Sequence, residues 1–338
     1  MLLSIIIVAK NEEKNIARCI ESILNCTKKI KEKEILLVDS SSSDKTVEIA
    51  KNYPINIISL KQNWQLSPSA ARFNGVNNVI GKYILIIDGD MELLEGFIGP
   101  ALAFMGKNNK VAAVLGKNYD IYMQKDGICS KPQPRVKYRA YLNSLNEPKK
   151  INFVFGSSIF RREFLLKVGN FHPYLRAEEE AELSSRLTKK GYDLFFLPYD
   201  HAYHYSLPKT TFKETARRVK NKLWAGMGDA IGLSFRQKRY LFIYQRYRWY
   251  LCFAGFMLVS IIGILYCLFF KRYIKCLVFS SMLPSFILLM CIKKKNFYQG
   301  ILSTLNITIV SLNIFTGLFR KLKDISTYPT DVNWIKKL

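Results

Sequence analysis

The chain has 338 residues and a formal charge of +25, from 51 Lys and Arg against 26 Asp and Glu. Hydrophobic residues make up 49% of it, which excludes a disordered basic protein. The charge is uneven, because residues 201–338 hold 22 basic and 4 acidic residues (+18) and the first 200 residues hold 29 and 22 (+7). The basic second part also contains the longest apolar runs, which indicates a membrane rather than nucleic acid as partner.

Apolar runs alternate with helical patterns in the first ninety residues. We predict strands over residues 3–8, 34–38, 55–59 and 82–87. The helices between them begin after a cap at Asn11, near Thr46 and at Pro68. This alternation predicts a parallel sheet, in which ligands bind beyond the carboxyl ends of the strands. No GxGxxG follows the first strand, so a dinucleotide held by a glycine turn is not expected.

Acidic residues follow the predicted strands, and the clearest group is Asp88-Gly89-Asp90. Two carboxylates two positions apart at a buried strand end can bind one hard cation that also holds a diphosphate. Without a cation they repel each other. The pattern therefore predicts a metal-assisted diphosphate site at this end of the sheet.

Five blocks in chain order resemble the family 2 glycosyltransferases with the GT-A fold. They are SIIIVAKNEEKNIARCIESIL, EILLVDSSSSDKT, PSAARFNG, YILIIDGDMEL and FVFGSSIFRREFLLKVGNFHPYLRAEEEAELSSRLTKKGY. The resemblance implies an α/β fold, a Rossmann-like, mostly parallel sheet with flanking helices, followed by C-terminal transmembrane or interfacial helices.

The resemblance also implies roles for single residues around the donor. Asp39 would accept a hydrogen bond from the nucleotide base, Glu12 would lie near the ribose, and Arg72 near the base or diphosphate. Asp88 and Asp90 would serve Mg²⁺ or Mn²⁺, with Asp90 a direct ligand. Such an ion would neutralise charge on the leaving diphosphate.

An acidic run, Glu178-Glu179-Glu180-Ala181-Glu182, opens a predicted helix, where the helix dipole favours carboxylates. It aligns with the family's Glu-Asp-x-Asp-Leu pattern, so Glu180 is the implied general base for the acceptor hydroxyl and Glu179 is its competitor. Crowded carboxylates raise each other's pKa towards the range useful for a base.

Two of the three histidines follow the apolar segment 193–197. The family often places a histidine here as a further metal ligand, and His204 is our candidate, with His201 as the rival. Imidazole suits Mn²⁺ at least as well as Mg²⁺.

Three apolar runs, 250–270, 276–292 and 300–319, predict two or three membrane spans; buried core helices are the alternative. We predict a catalytic domain over 1–230, with a nucleotide-sugar half of about 1–115 and an acceptor half of about 116–230 that includes an acceptor-facing region, 118–150. A basic juxtamembrane segment, 231–249, and a membrane region with a basic tail, 250–338, follow. The expected location is a multi-pass membrane protein with its catalytic domain on the cytosolic face.

The predicted function is inverting, metal-assisted transfer of a sugar from a UDP- or GDP-sugar to a lipid-linked saccharide or cell-surface glycan precursor. The first alternative is transfer to a polyprenyl phosphate, which needs no base because the acceptor is already an anion. A processive synthase, suggested by the QxxRW at Gln245–Trp249, and a non-catalytic membrane adaptor are further alternatives. Nucleic acid is not an expected partner, because the basic residues flank apolar runs.

Overall fold

Strands and helices alternate through the first hundred residues, as the apolar runs predict. The strands are β1 (Leu3–Ala9), β2 (Lys33–Asp39), β3 (Asn56–Ser59), β4 (Tyr83–Asp88), β5 (Met91–Leu93), β6 (Val111–Tyr122), β7 (Lys149–Ile151), β8 (Ser158–Arg161), β9 (Asp193–Ser206) and β10 (Asn333–Lys336). The helices are α1 (Ile16–Cys26), α2 (Thr46–Ala50), α3 (Pro68–Asn77), α4 (Ile98–Lys107), α5 (Lys137–Asn143), α6 (Arg162–Lys167), α7 (Glu179–Lys189), α8 (Phe212–Lys220), α9 (Leu223–Arg236), α10 (Tyr240–Phe269), α11 (Tyr273–Lys294) and α12 (Phe297–Phe319).

The computed structural model describes residues 2–122, 130–133, 137–206 and 212–338. Residues 123–129 and 134–136 of the predicted acceptor-facing region lie outside the described residues. The chain divides into two units, one of residues 1–208 with 323–338 and one of residues 209–322. This division differs from the sequence boundary at residue 230. It also assigns the tail to the first unit, because β10 pairs with β3.

The ten strands of the described residues form one sheet in the order β10-β3-β2-β1-β4-β8-β6-β9-β5, with β7 added beside β9. Strands β1, β2, β3 and β4 are parallel to one another, as predicted. The second half is mixed, because β8 runs antiparallel between β4 and β6 and β5 returns antiparallel to β9. The α/β class is confirmed, and parallel pairing joins β1 to β4 with one another and β6 with β9.

The core lies around β1, whose seven residues are all buried. Such a strand needs cover on both faces, and α1 supplies part of it with Ile16, Cys19, Ile20 and Ile23. Burial of each large aliphatic side chain contributes about 1.5–3 kcal/mol. The residue before α1 is Asn15 and not the predicted Asn11, which instead has a left-handed backbone with φ 56° in the loop after β1. Hydrogen bonds from the backbone of Asn11 and Glu12 to Ser42 and Thr46 join this loop to the loop after β2.

The second unit contains α8 to α12. Among the described residues, α10, α11 and α12 are the helices long and apolar enough to cross a membrane. They coincide with the three runs identified in the sequence. The Gln245–Trp249 motif lies inside the first third of α10.

Candidate active site

The carboxyl ends of β2 and β4 flank the end of β1. In the strand register Ala9 of β1 pairs with Asp39 of β2, and Val8 pairs with Asp88 of β4. The chain therefore brings two of the predicted donor residues, about fifty positions apart in sequence, to either side of one strand end.

Asp39 is 1% exposed and is held in one orientation by two donors. Its Oδ2 accepts hydrogen bonds from the backbone N–H of Ser42 at 3.0 Å and from the Ser59 hydroxyl at 3.1 Å. Its Oδ1 is buried without a hydrogen-bond partner among the described residues. A buried acceptor in this state is costly unless a donor reaches it, so this oxygen suits an N–H group of a ligand.

Glu12 lies in the loop after β1, where its backbone N–H donates to Thr46 Oγ1 at 2.7 Å. Burial raises the pKa of Glu12 to about 7; the charges of Asp90 and Asp88 add to the rise, and a hydrogen bond from Asn15 opposes it. The backbone at Gly89 runs close beside this side chain, because a Cβ there would lie 3.1 Å from Ala9 Cβ and 3.3 Å from Glu12 Cγ. Gly89 thus lets the carboxylates of Glu12, Asp88 and Asp90 gather at one strand end.

Arg72 is the centre of a buried ion cluster and is 3% exposed. One guanidinium nitrogen lies 2.9 Å from Asp88 Oδ1 and 3.2 Å from Glu180 Oε1, and the other donates to Glu179. Three carboxylates surround the guanidinium, so Arg72 connects the Asp88-Gly89-Asp90 turn to the acidic start of α7. Its place near the donor base or diphosphate stays a prediction.

The four acids at the start of α7 have different surroundings. Glu182 is fully buried and pairs with Arg186 one turn later, at 2.8 Å. The Glu179 side chain is 7% exposed, and burial raises its pKa, with the charge of Glu180 adding to the rise and Arg72 opposing it. Glu180, at 17%, is the more accessible of the two candidate bases. A base that must reach an incoming hydroxyl needs this access.

His204 lies on β9 between two carboxylates. It pairs with Asp120 of β6 on one side and with Met91 of β5 on the other. Its Nδ1 is 2.5 Å from Asp120 Oδ1, and its Nε2 is 3.1 Å from Asp90 Oδ2. A carboxylate at Nδ1 places the proton of a neutral ring there, so Nε2 presents its lone pair to Asp90.

The rival His201 belongs to the core. It is fully buried and stacks on Phe97 with ring centroids 3.8 Å apart. Its Nε2 bonds to the Ser157 hydroxyl at 3.0 Å, and its Nδ1 accepts from the backbone N–H of Gly116 at 3.4 Å. Burial lowers the pKa of His201 to about 3. Both ring nitrogens have partners, which leaves His204 as the histidine that faces the acidic turn.

The pair Asp90 and His204 fits a divalent cation. Nε2 and a carboxylate oxygen are both electron-pair donors, so their 3.1 Å separation is favourable only with a proton or cation between them. Neighbouring ligands on an octahedral ion are about 3.0 Å apart. Asp90 Oδ1 is also buried without a hydrogen-bond partner within the described ranges. No group of three or more His, Cys, Asp or Glu side chains suited to a metal occurs in the part of the chain that the structure describes.

Asp120 is the residue of this site that the sequence did not indicate. It is fully buried, contacts His204, and lies 3.9 Å from Arg139. In the sequence Asp120 stands near the end of the strand VAAVLGKNYDIY, and no motif there indicates a role for it. The β6–β9 register, which joins residues 84 positions apart, is what gives it a role.

Comparison with known proteins identifies the class. The glycosyl transferase family 2 model matches residues 4–169. That segment contains β1 to β8 and both strand-end acidic groups. The chain therefore carries a family 2 glycosyltransferase domain, and the sequence resemblance and the prediction of an enzyme are confirmed.

Two characterised relatives and two solved structures define the similarity further. Glycosyltransferase AglE of Haloferax volcanii is 24% identical over 237 residues, 68% of this chain and 76% of that protein. The minor teichoic acid biosynthesis protein GgaA of Bacillus subtilis is 30% identical over 197 residues, 56% of this chain and 44% of that protein. The chain thus spans about three quarters of the first and less than half of the second.

The structure of S. aureus TarS 1-349 in complex with UDP-GlcNAc superposes with a TM-score of 0.52 at 18% identity, covering 68% of this chain and 66% of that one. GalNAc-T7 with UDP, GalNAc and Mn²⁺ gives a TM-score of 0.50 at 20% identity, covering 68% and 51%. At these identities the two structures establish the shared GT-A fold, which confirms the predicted fold class.

Proposed function

We propose that this protein is a membrane-attached, inverting glycosyltransferase. It moves a sugar from a nucleotide diphosphate to a lipid-linked saccharide or cell-surface glycan precursor. The observation that carries the proposal is the buried Arg72 cluster, which joins Asp88 of the acidic turn to Glu179 and Glu180 of α7. Sugar transfer needs a binding site for the leaving diphosphate next to a base for the acceptor hydroxyl. Through Arg72, the cluster holds the acidic turn next to the two candidate bases.

The donor binds along the ends of β1, β2 and β4. Asp39 accepts a base N–H on its partnerless Oδ1, and Glu12 meets the ribose. The crystal structure of TarS with UDP-GlcNAc supports a uridine donor for this fold, and GDP is the alternative. Arg72 holds Asp88 and the glutamates in place.

Asp90 and His204 would hold Mg²⁺ or Mn²⁺, with Asp88 beside them. When bound, the cation neutralises charge on the leaving diphosphate. The Mn²⁺ in the GalNAc-T7 structure supports a divalent ion for this fold. Imidazole among the ligands favours Mn²⁺.

Glu180 accepts the proton of the acceptor hydroxyl as that oxygen attacks the anomeric carbon from the face opposite the diphosphate. Glu179, buried against Arg72, positions Glu180 and stays the second candidate for the base. The acceptor half, about 116–230, supplies the face on which the acceptor lies.

The acceptor class is supported by the three apolar helices and by the name of GgaA, which refers to teichoic acid, a cell-surface polymer. Nucleotide sugars are cytosolic compounds, so the catalytic unit faces the cytosol. Transfer to a polyprenyl phosphate is the second candidate, and a processive synthase is less supported, because Trp249 of the QxxRW motif is 72% exposed.

The donor assignment is tested with full-length protein in detergent and a panel of UDP- and GDP-sugars with Mn²⁺. We expect one UDP-sugar to be hydrolysed slowly and to raise the unfolding temperature, whereas UDP-sugars without a divalent ion give neither effect. Binding of GDP-sugars alone would replace the uridine assignment, and no stabilisation by any nucleotide would contradict the proposal.

Asp120 orients His204 for the cation. The substitution Asp120→Asn keeps the size of the side chain but removes the negative charge that holds the proton on His204 Nδ1. Loss of a residue that orients a metal ligand in this way lowers metal affinity about 10–100-fold. We expect that loss in Mn²⁺ titrations read by electron paramagnetic resonance with UDP present. The control is Asp200→Asn, which removes a carboxylate of the same strand pair that bonds to the Tyr119 hydroxyl. Equal Mn²⁺ affinity in both variants would refute the role of Asp120.

A further inference from the structure

The chain returns to the catalytic sheet after its last apolar helix. Residues 333–336 form β10, which lies antiparallel to the edge strand β3, with Asn333 opposite Ser59 and Trp334 opposite Ile58. The Lys336 ammonium group donates to the carbonyls of Lys51 at 2.9 Å and Tyr53 at 2.6 Å. The end of the chain is therefore part of the first unit.

Tyr328 anchors the same tail. It is 4% exposed, and its ring makes edge contacts with Trp64, Phe73 and Tyr174 at centroid distances of 5.9, 5.9 and 5.2 Å. Its hydroxyl donates to the carbonyl of Gln65 at 2.9 Å. A buried aromatic residue with a satisfied hydroxyl and an added strand make the attachment a packed one.

This return constrains how often the chain crosses the bilayer. Each crossing moves the chain to the other face, and a strand cannot pair with its neighbour through a bilayer. Residues before α8 and after residue 322 belong to one unit, so the number of crossings between them is even. Within the described ranges, three helices are long and apolar enough to cross the bilayer, so all three together cannot do so. We propose that α10 and α11 cross as a hairpin covered by lipid, and that α12 stays on the face of the catalytic unit.

The first half of α12 contacts a helix that cannot lie in hydrocarbon. Asn306, in the middle of α12, accepts a hydrogen bond from Thr215 of α8 at 2.9 Å, and Tyr298 accepts one from the Phe212 N–H at 3.2 Å. Five of the nine residues of α8 are charged: Lys213, Glu214, Arg217, Arg218 and Lys220. Charged side chains are expensive at the bilayer centre, so α8 and the part of α12 bound to it lie outside the core.

The second half of α12 packs on α9. A Cβ on Gly228 or Gly232 of α9 would collide with the carbonyl oxygens of Asn313 and Gly317, so the two backbones touch. Beyond the end of α12, Arg320 pairs with Asp229 of α9 at 3.1 Å. The 14 residues of α9 extend only about 21 Å, less than the roughly 30 Å of a hydrocarbon core. The backbone contact with α9 and the two hydrogen bonds to α8 assign α12 to their side of the bilayer, where Ser311 of α12 also donates to the Tyr250 carbonyl near the start of the α10 apolar run.

The hairpin of α10 and α11 has the surface that lipid requires. No residue of α11 is buried, and apolar side chains such as Ile274 (85% exposed) and Leu277 (69% exposed) lie open. The two helices contact each other through Phe253 and Phe286, with centroids 4.6 Å apart. An apolar surface along a whole 22-residue helix is what a membrane span presents, and the bilayer is the partner that covers it.

The flanking charges agree with this arrangement. The far side receives only the hairpin tip, with Lys271, Arg272 and Lys275, while the catalytic side keeps residues 293–295 (three lysines) and the basic residues of 320–323. The positive-inside tendency then places the catalytic unit in the cytosol. Three crossings would place the basic tail on the side of the bilayer opposite to the catalytic unit.

The topology is tested with four single-cysteine variants of the full chain, in a background whose seven native cysteines are replaced by alanine or serine. The variants are Lys107→Cys in α4, Lys275→Cys at the hairpin tip, Lys294→Cys at the end of α11 and Lys337→Cys in the tail; all four positions are exposed. Sealed membranes are labelled with a membrane-impermeant maleimide before and after permeabilisation. We expect Cys-directed labelling at positions 107, 294 and 337 from one side and at position 275 from the other.

Labelling of position 337 from the side opposite to position 107 would overturn the even count. Labelling of all four positions from one side would show that no helix crosses, and labelling of 275 and 294 together from the far side would assign the second crossing to α12. Each of these results contradicts the proposal. If the cysteine-free protein does not accumulate, short epitope tags at the same positions and protease protection give the same four readings. None of these outcomes depends on the donor or acceptor.

Discussion

Replacing Asp90 with asparagine is expected to lower kcat/KM for sugar transfer by about 10³-fold, since the loss of one electrostatic contact to developing charge costs about 10²–10³ in rate and the cation is lost with it. Asp90 Oδ2 and His204 Nε2 lie 3.1 Å apart, and the amide nitrogen or oxygen of asparagine is a weaker ligand than a carboxylate. Mn²⁺ affinity should fall in parallel. Stability should be unchanged or higher, because the substitution removes one of several crowded carboxylates.

The matched control for Asp90→Asn is Asp193→Asn. Both side chains are 26% exposed and both lie in the sheet unit, but Asp193 pairs with Lys150 instead of His204. We expect Asp193→Asn to retain transfer within a few-fold, with thermal unfolding of the three proteins confirming equal folding. Full turnover by Asp90→Asn at saturating donor would remove the cation from the mechanism and leave the acidic turn as a structural feature.

Glu180→Gln gives the second large effect. Removing a general base lowers the rate by about 10²–10⁴, and we expect a fall in kcat of about 10³ with the KM for the donor nearly unchanged. The reason is that, in the proposed mechanism, Glu180 would contact the acceptor hydroxyl as its proton moves, whereas other residues would hold the donor. Steady-state rates with a lipid-linked acceptor give kcat and the KM for the donor. A separate measurement of donor binding shows whether the affinity for the donor is unchanged.

Glu179→Gln is the companion variant, because its carboxylate shares Arg72 with Glu180. Its buried side chain supports the cluster, so we expect a lower unfolding temperature and a loss in kcat of no more than about tenfold. A larger loss in Glu179→Gln than in Glu180→Gln would exchange the two roles. A loss below about threefold in Glu180→Gln would favour a phosphate acceptor, which needs no proton removed.

The positions of residues at strand ends could be predicted from the sequence. A buried apolar run predicts a strand, and parallel strands bring their carboxyl ends to one edge, so the sequence predicts that Asp39, Asp88 and Asp90 lie close together. The register Ala9 to Asp39 and Val8 to Asp88 agrees with that expectation. The acidic start of α7 was identified in the same way, from its position at a helix N-terminus.

The contacts between side chains from distant parts of the chain could not be predicted from the sequence. The family resemblance implies that Arg72 lies near the donor base or diphosphate, and no local pattern indicates its protein partners. The fold surrounds it with three carboxylates from β4 and α7. Asp120 was missed because its role exists only where β6 lies beside β9, and His201 differs from His204 only in which face of β9 it occupies.

By itself, the sequence determined the class of fold, the edge of the sheet where Asp39 and Asp88 gather, and the presence of three apolar helices, since each follows from the local order of apolar and polar residues. Only the tertiary structure decided which carboxylates contact Arg72, which histidine contacts Asp90, and to which unit residues 323–338 belong. The tail shows the reason most clearly. Residues 323–338 read as a basic membrane flank, yet a strand's pairing partner is set by the edge left open in the sheet, and β10 fills the open edge of β3.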